Sequence, residues 1–302
     1  MLPQITVCTC TYKRPEMLEK LLKALDAQDC ANIADFRVNV VDNDCEESAR
    51  EVIGDLINTV SYKLHYFVEP VTNIARARNV AVNNVSTEFL VFIDDDEFPD
   101  KDWLKNMYQS CISYDADGVL GPVVPHFEDG APQWLVKSGL CQRKRFNTGT
   151  NLKNTVFMRT GNVLFRRSVF KDSDMVFDEQ FGLSGGEDTD FFGKALKREY
   201  KFIWCDEGVV YETVPPNRFK RRYHLQRALL RGTLNAKRIS LFSSSVLKSF
   251  TAFTLYSITL PLLYIAGHHH FMNYLVKSFD HIGLILGTLG INTIKDRSFI
   301  KE

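Results

Sequence analysis

Four consecutive carboxylates, Asp94 to Glu97, are the residues of this chain whose types and spacing most clearly suggest chemistry. They directly follow an apolar run, Phe89 to Ile93, whose composition predicts a strand buried on both faces, as in the centre of a parallel sheet. Open α/β sheets bind ligands outside the carboxyl ends of their strands. Adjacent carboxylates repel one another, and a cation that prefers oxygen ligands relieves the repulsion. The pattern therefore indicates a metal site in which Asp94 and Asp96 point to one side, although a solvated acidic loop is an alternative.

A second acidic group, Glu187, Asp188 and Asp190, follows the pair Gly185-Gly186 and begins a predicted helix. The dipole of a helix favours anions at its amino terminus, and glycines allow the backbone to approach a ligand closely. Acidic side chains also cap helices without any further role, and that alternative stays open. Two acidic groups at the ends of different elements suggest two tasks, in which one group holds a metal ion and the other removes a proton.

The elements before the first acidic group alternate between strands and helices. Strands are predicted at residues 5–10, 36–41, 63–68 and 89–93, and helices at residues 15–25, 46–57 and 73–85, the last capped by Asn73. This alternation indicates a mostly parallel sheet with helices on its faces, and hence the α/β class. Further along the chain, a helix follows Asp102, strands are predicted at residues 119–120 and 161–165, and the irregular segment 121–160 is expected to cover the substrate.

Composition and charge bound the class of protein. A chain of 302 residues with 45% hydrophobic and 25% charged residues is that of a folded protein with one large domain and an appendage, or with two domains. The net charge of zero conceals a split, because residues 213–279 contain ten Lys or Arg and no Asp or Glu. The seven cysteines form no C-x-x-C pair, and the amino terminus resembles no signal peptide, so we expect a reducing, cytosolic environment.

Six motifs in a fixed order resemble those of the nucleotide-diphospho-sugar glycosyltransferases of family 2. The motifs are 7–15, 41–44, 77–79, 92–96 with Pro99 and Trp103-Leu104, 161–162 and 186–191. The resemblance extends over roughly residues 4–235. It implies a Rossmann-like A-type fold with a mostly parallel central sheet, and transfer of a sugar with inversion in a single displacement.

The resemblance also implies roles for individual residues. The residues that match the donor-binding motifs are Thr11, Tyr12, Arg14, Asp42, Asp44, Arg78, Asp94 and Asp95. Among these, Asp42 corresponds to the acid that reads the edge of the base. Asp94 and Asp96 correspond to the D-x-D pair, whose last carboxylate binds Mn²⁺ or Mg²⁺ at the diphosphate. Asp188, with Glu187 beside it, corresponds to the general base. The family's habit favours a uridine diphosphate sugar, and nothing in the sequence suggests a nucleic acid partner.

Two motifs of the family are altered. Where many members have a metal-binding His, this chain has Glu212 within residues 210–215, so that Glu212, His224 or water is left as the third ligand. The Gln-x-x-Arg-Trp motif of processive synthases is absent, because Gln226 begins the run Gln-Arg-Ala-Leu-Leu-Arg. We therefore expect one sugar per encounter. Residues 211–232 are most similar to enzymes that build bacterial exopolysaccharides or surface glycans on lipid carriers, which implies a glycan or lipid-linked acceptor.

The carboxyl-terminal region is basic and then apolar. Eight Lys or Arg residues between 218 and 238 precede nineteen uncharged residues, 249–267, a length sufficient to span a bilayer. Pro261 and several hydroxyl residues dilute the apolarity, so helices in the interface or a re-entrant hairpin are equally open, as is a dimer interface. We expect attraction to anionic lipids at the cytoplasmic face of the cell membrane. The predicted domains are thus a catalytic domain, 1–235, and membrane-associating helices, 236–302.

Three other functions compete with the transferase as interpretations of this sequence. A sugar-nucleotide nucleotidyltransferase would need a glycine-rich phosphate loop after the first strand, and residues 11–14 supply none. A phosphohydrolase with an Asp-x-Asp nucleophile would have a small hydroxyl or branched residue where Glu97 and Phe98 stand. A non-catalytic, membrane-docked glycan-binding or scaffold protein of the same fold stays possible, although intact acids in both groups argue against lost chemistry.

Overall fold

The structure is a computed structural model, and it describes residues 2–30, 33–183, 185–236, 239–240 and 243–291. The described residues form two compact units. The first unit takes its residues from 1–124 and 143–212, and the second takes its residues from 125–142 and 213–302. This division differs from the predicted domains, 1–235 and 236–302, because the helix that contains residue 235 packs with the helix at residues 268–288. The functional boundary between a catalytic and a membrane-associating region stays a prediction.

A seven-stranded sheet forms the centre of the first unit. Its strands are β1 (Gln4–Thr11), β2 (Asp35–Asp42), β3 (Lys63–Val68), β4 (Phe89–Ile93), β6 (Gly118–Leu120), β8 (Asn162–Arg166) and β9 (Phe202–Trp204). The order across the sheet is β3-β2-β1-β4-β8-β6-β9, and only β8 runs antiparallel to its neighbours. A smaller sheet has the order β5-β10-β7, from β5 (Glu97–Pro99), β7 (Val123–His126) and β10 (Val210–Thr213).

The central strand β4 is buried on both faces, as its sequence predicted. Phe89, Val91 and Ile93 belong to one apolar cluster, and Leu90 and Phe92 belong to the other. The helices that cover the sheet are α1 (Pro15–Asp26), α2 (Arg50–Leu56), α3 (Ile74–Asn83), α4 (Trp103–Ser113) and α6 (Glu187–Lys197). Because the two clusters hold β4 in place from both sides, the acids that follow it start from a fixed point.

Most of the predicted elements are present, with informative differences. The helix predicted at 46–57 begins only at Arg50, because the carboxylates of Asp42 and Asp44 accept hydrogen bonds from the backbone N–H groups of Ala49 and Glu46 and hold the chain in turns. Asn73 caps α3, as predicted, through a 3.1 Å bond from the N–H of Arg76. The segment 121–160 contains β7, a short helix α5 (Gln133–Ser138) and a 3₁₀ turn at Thr155–Phe157.

The second unit consists mainly of helices α5, α7 (Arg221–Ala236), α8 (Ser244–Ala266) and α9 (His268–Thr288). Helices α7 and α9 approach so closely that their backbones touch. A Cβ atom on Gly232 would lie 2.1 Å from the carbonyl oxygen of Asp280, and one on Gly283 would lie 2.3 Å from that of Leu229. Residues 268–270, a run of three histidines, form the first turn of α9.

Helix α8 has one face packed against α9 and the opposite face open. In the described part of the chain it is the one helix that is long and apolar enough to cross a membrane, with 23 residues and a hydropathy of 1.4. Val246 and Ser249 are buried, and Tyr256 packs its ring on those of Tyr274 and His281. The open face carries large apolar side chains that are between 50% and 82% exposed: Leu247, Phe250, Leu255, Ile258, Leu262 and Ile265.

Candidate active site

The first acidic group lies at the carboxyl end of β4, where the chain turns sharply. The N–H of Glu97 donates to the carbonyl oxygen of Asp94 over 3.1 Å, so that Asp94, Asp95 and Asp96 occupy the turn. Asp95 is buried and accepts hydrogen bonds from the hydroxyl of Thr11 (2.8 Å) and from Nη1 of Arg14 (3.0 Å). Nη1 of Arg14 also donates to Asp96 over 3.2 Å. The acids of β4 are therefore tied to the end of β1, the neighbouring strand.

Asp42 and Asp44 lie at the end of β2, and each has a carboxylate oxygen with no hydrogen-bond partner among the described residues. One oxygen of Asp42 accepts from the N–H of Ala49 (2.8 Å) and the hydroxyl of Tyr66 (2.9 Å). Burial raises the pKa of Asp42, and the same two hydrogen bonds oppose the rise. The second oxygens, Oδ1 of Asp42 and Oδ2 of Asp44, are buried acceptors that a ligand with N–H donors would satisfy.

The second acidic group occupies the amino terminus of α6. Gly185 and Gly186 have φ angles of +77° and +115°, which glycine adopts without strain, and they turn the chain into the helix. Asp188 accepts a 2.6 Å hydrogen bond from the hydroxyl of Thr160, which precedes β8. Glu187 is buried, and its Oε2 atom has no partner among the described residues.

The guanidinium of Arg78 connects the two acidic groups. Its Nη1 atom donates to Glu187 (2.7 Å) and to Asp188 (2.9 Å), and its Nη2 atom lies 3.8 Å from a carboxylate oxygen of Asp94. The side chain of Arg78 is only 7% exposed, and burial disfavours its charge, but Asp188, Asp94 and Glu187 together raise its pKa. Carboxylates that stand more than ninety positions apart in the sequence therefore meet on one cation, inside the first unit.

Glu97, Arg143 and Glu212 add charge near Asp94, and of these three Arg143 is the one to which the sequence gave no role. Glu97 is 2% exposed, and burial together with the charge of Asp94 raises its pKa well above the usual value. Arg143 forms a 2.5 Å ion pair with Glu212 and opposes the raised pKa values of Asp94 and Glu97. Desolvation raises the pKa of Asp94 to about 6, and the carboxylates of Asp96 and Asp188 contribute to the rise.

Gly161 explains how these carboxylates come so close to β8. A Cβ atom at this position would lie 2.8 Å from Oδ2 of Asp94 and 2.9 Å from Oε1 of Glu97, so any other residue would displace the acids. The next residue, Asn162, is fixed by a 2.9 Å bond from the indole N–H of Trp103, and its amide donates to the carbonyl oxygens of Pro122 and Gly208. The motif Gly161-Asn162 thus brings β8 against the acids and locks it there.

The carboxylate oxygens of this region suit a divalent cation whose remaining coordination positions are filled by a bound substrate. No group of three or more His, Cys, Asp or Glu side chains is arranged to hold a metal ion in the described residues. Mg²⁺ in particular is commonly held by one or two carboxylates together with substrate phosphates and water. Burial raises the pKa values of Asp94 and Glu97, and neighbouring carboxylates add to the rise, so an added cation would favour the charged forms of both groups.

The two protein candidates for a third metal ligand differ in their surroundings. Glu212 adds its charge to those around Glu97 and binds Arg143, so it lies with the acids of β4. His224 belongs to the second unit, where its Nε2 atom is 2.8 Å from the carbonyl oxygen of Arg218 and its ring packs on Trp134. Trp134 also contacts the ring of His268.

This chain is similar to a known family and to proteins of glycan synthesis. The model of the family described as Glycosyl transferase family 2 matches residues 6–173. The succinoglycan biosynthesis protein ExoM of Rhizobium meliloti is 30% identical over an alignment that covers 96% of this chain and 94% of that protein. The poly(ribitol-phosphate) beta-N-acetylglucosaminyltransferase TarS of Staphylococcus aureus is 23% identical, over 70% of this chain and 35% of that protein.

Solved structures of S. aureus TarS share the fold. The structure of TarS residues 1–349 in complex with UDP superposes with a TM-score of 0.54 and 18% identity, covering 97% of this chain and 94% of that one. The complex with UDP-GlcNAc gives a TM-score of 0.55 at the same identity. The match of the family model to more than half of the chain, together with the ExoM relative, shows that this chain belongs to glycosyltransferase family 2.

Proposed function

We propose that this glycosyltransferase is a metal-dependent, inverting enzyme that transfers one sugar from a nucleoside diphosphate sugar to a hydroxyl group of a glycan on a lipid carrier. The observation that carries the proposal is the meeting of Asp94 and Asp188 on the guanidinium of Arg78. A cleft that contains both acids is suited to a reaction in which a diphosphate leaves and an alcohol is deprotonated.

The ends of β1 and β2 supply the nucleotide site in this proposal. The free oxygens of Asp42 and Asp44 are acceptors for the N–H group of a uracil base, while Thr11 ends β1 and Tyr12 and Arg14 lie in the loop after it. Complexes of TarS with UDP and UDP-GlcNAc support a uridine nucleotide as the donor of this chain as well. Asp95 holds Thr11 and Arg14 in place.

Asp96 and Asp94 would hold Mn²⁺ or Mg²⁺ at the donor diphosphate. The bound cation supplies Lewis acidity, which stabilises the negative charge of the leaving group. Arg78 keeps Asp94 oriented, and Gly161 leaves room for its carboxylate. Both contacts belong to the chain itself, so the residues are positioned before a ligand arrives.

Asp188 is the proposed general base, and Glu187 supports it through their shared partner, Arg78. The hydrogen bonds from Thr160 and Arg78 both reach Oδ1 of Asp188, which fixes the direction of its carboxylate. Removal of a proton from an acceptor hydroxyl by a positioned carboxylate contributes a rate factor of about 10² to 10⁴. Inversion needs no covalent nucleophile, and none is assigned.

The second unit and the ExoM relative support the proposed acceptor and location. The name of ExoM places that protein in succinoglycan biosynthesis. We infer that the basic and apolar region of this chain lies against the anionic cytoplasmic face of the cell membrane. The open apolar face of α8 supports this location.

Release of nucleoside diphosphate from a panel of nucleotide sugars, in the presence of Mn²⁺ and without acceptor, tests the proposal with the purified full chain in detergent. We expect slow release from one donor, its loss in EDTA, and a decrease of at least about 100-fold in Asp96→Ala and in Asp188→Asn. Asp55→Asn, which changes an exposed acid of α2, is the matched control. Release that persists in EDTA would contradict metal dependence. Silence across the panel, together with measurable glycan binding, would favour the scaffold alternative.

A further inference from the structure

A cavity of about 190 Å³ lies in the first unit beside the acids, and the proposed roles do not use it. Two of its lining residues, Arg159 and Asn162, flank the pair Thr160-Gly161. Thr160 donates a hydrogen bond to Asp188, and Gly161 faces Asp94 and Glu97. The wall of the cavity is therefore continuous with the segment that separates the proposed base from the proposed metal ligands.

The lining of this cavity combines an apolar floor with a cationic rim. Leu120, Val123, Phe157 and Trp204 contribute apolar surface, and the cations are Arg143, Lys144 and Arg159. Trp204 and Phe157 each contact the ring of Phe146, which fixes their orientation. Aromatic surfaces pack well on the apolar faces of sugar rings, and a cationic rim selects for an anion.

Two of the three cations have no acidic partner in the part of the chain that the structure describes. Lys144 lies over the rings of Phe146 (4.9 Å) and Phe157 (5.0 Å), and Nη1 of Arg159 donates to the carbonyl oxygen of Met158 (2.8 Å). Arg143 is already paired with Glu212. Lys144 and Arg159 are both exposed, and no acidic side chain of the described residues pairs with them, so both remain available to an anionic ligand in this cavity.

The order of the strands places this cavity on the side of β4 opposite to the proposed nucleotide site. Strands β1 and β2, which position the nucleotide, lie on one side of β4, whereas β8, β6 and β9, which line the cavity, lie on the other. A sugar that leaves a diphosphate above β4 therefore meets its acceptor on the side of the cavity.

We propose that the cavity binds an acceptor that carries a phosphate group, with the sugar ring against Trp204 and Phe157 and the phosphate on Lys144 and Arg159. This inference rests on the proposed function and narrows its acceptor to sugar phosphates. The ligand is either a phosphate monoester of a free sugar or a sugar joined through diphosphate to a lipid. Both share the anionic group that the rim recognises.

Binding of simple probes to the full chain tests the proposal. Calorimetry with glucose 1-phosphate, glucose and inorganic phosphate is expected to show that the sugar phosphate binds at least about tenfold more tightly than either part alone. In Lys144→Gln/Arg159→Gln, the affinity for glucose 1-phosphate is expected to fall to that for glucose. Lys197→Gln, which changes an exposed lysine of α6, is expected to bind as the wild type does. A wild type that does not prefer glucose 1-phosphate, or a double variant that keeps the preference, overturns the proposal.

Two further measurements separate this inference from the proposed function. UDP binding with Mn²⁺ and donor release without acceptor are expected to stay within about twofold of wild type in the double variant; an equal loss of UDP binding would assign the cavity to the donor and overturn the proposal. If the wild type releases no nucleotide, the proposed function fails. The binding comparison still decides whether the cavity binds a sugar phosphate. Tighter binding of an octyl diphosphate ester of glucose than of glucose 1-phosphate assigns the phosphate to a lipid carrier, and equal or weaker binding assigns it to a free sugar phosphate.

Discussion

Arg78 holds three carboxylates, and its replacement should separate structural from chemical effects. Arg78→Met would leave Glu187, Asp188 and Asp94 without their shared buried cation, so we expect the free energy of unfolding to fall by about 3 kcal/mol. Arg78→Lys keeps the charge but not two fixed N–H directions, so we expect a smaller loss of stability with a large loss of kcat. Chemical denaturation and donor release measure the two effects. An Arg78→Met protein as stable as the wild type would show that water replaces the cation.

His224 should give the second unit a pH-dependent stability. Burial lowers the pKa of its imidazole, helped by the charges of Arg227 and Arg218. The unfolded chain therefore binds a proton on His224 at a higher pH than the folded chain does. The stability from the neutral ring is present above about pH 6.5 and is lost as the pH falls below it. The decrease in Tm between about pH 7 and pH 5 should be shallower in His224→Gln than in the wild type. Equal slopes in circular dichroism melts would contradict this.

At the scale of single residues, the sequence predicts what depends on neighbours in the chain. The cap by Asn73 and the acids after β4 are recognisable because caps and strand ends are local patterns. The sequence assigned no role to Thr160 and predicted Glu97 only as a member of the acidic group, because the contacts of both residues arise where Gly161 brings β8 against β4. The resemblance to the family predicts that the two acidic groups share one site. It assigns Arg78, the cation between them, to binding of the nucleotide sugar and not to contact with the acids.

Helix α8 carries the main prediction at the scale of elements, namely that it lies in the plane of the membrane surface instead of crossing it. It runs antiparallel to α9, and near its middle α9 carries Lys277 and Asp280, of which the latter pairs with Arg231 of α7. A spanning α8 would draw these charges into the hydrocarbon, at a cost of at least about 2.5 kcal/mol for a charged residue at the centre. The open face alone can enter the interface without this penalty.

Leu255→Glu/Ile258→Glu should therefore weaken binding to vesicles that contain phosphatidylglycerol, and alkaline carbonate should release the wild type from membranes. Val71→Glu, at an exposed apolar position of the first unit, is the control. Co-sedimentation and extraction measure the two effects. Resistance to carbonate would indicate a true span. Conversion of a dimer to a monomer by the double substitution, with unchanged vesicle binding, would indicate a protein interface.

The elements that the sequence missed are short or depend on distant partners. Strands β5, β7, β9 and β10 have three or four residues each, too few for a periodic pattern. The direction of β8 is set by pairing with β4 and β6 and has no local signal. The positions of the longer strands and of the helices with a clear apolar stripe were predicted well, because the buried side chains of these elements form a regular pattern along the sequence.

At the scale of the whole molecule, the two units should respond differently to a donor nucleotide. UDP with Mn²⁺ at about 100 times its Kd should stabilise the first unit by about 2.7 kcal/mol, because the ligand binds only the folded state. Differential scanning calorimetry should show that the unfolding transition of the first unit moves to a higher temperature and that the unfolding transition of the second unit does not. The shift should disappear in EDTA and in Asp96→Ala. A shift of equal size without the metal would contradict a cation-bridged nucleotide.

The path of the chain between the two units also governs how the protein can be shortened. Helix α5 comes from residues 125–142, in the middle of the sequence, yet it packs with α9, and the amide of Asn273 donates to the carbonyl oxygen of Ser138 over 2.9 Å. Truncation after residue 212 or 235 would therefore remove α9, which packs on α5, and would expose the fully buried Leu135, although the rest of the catalytic sequence stays intact. A soluble fragment requires that residues 125–142 be replaced by a short linker and that the carboxyl-terminal helices be removed. If only those helices are deleted, insolubility would reflect the lost packing of α5 and would not prove that the protein requires lipid.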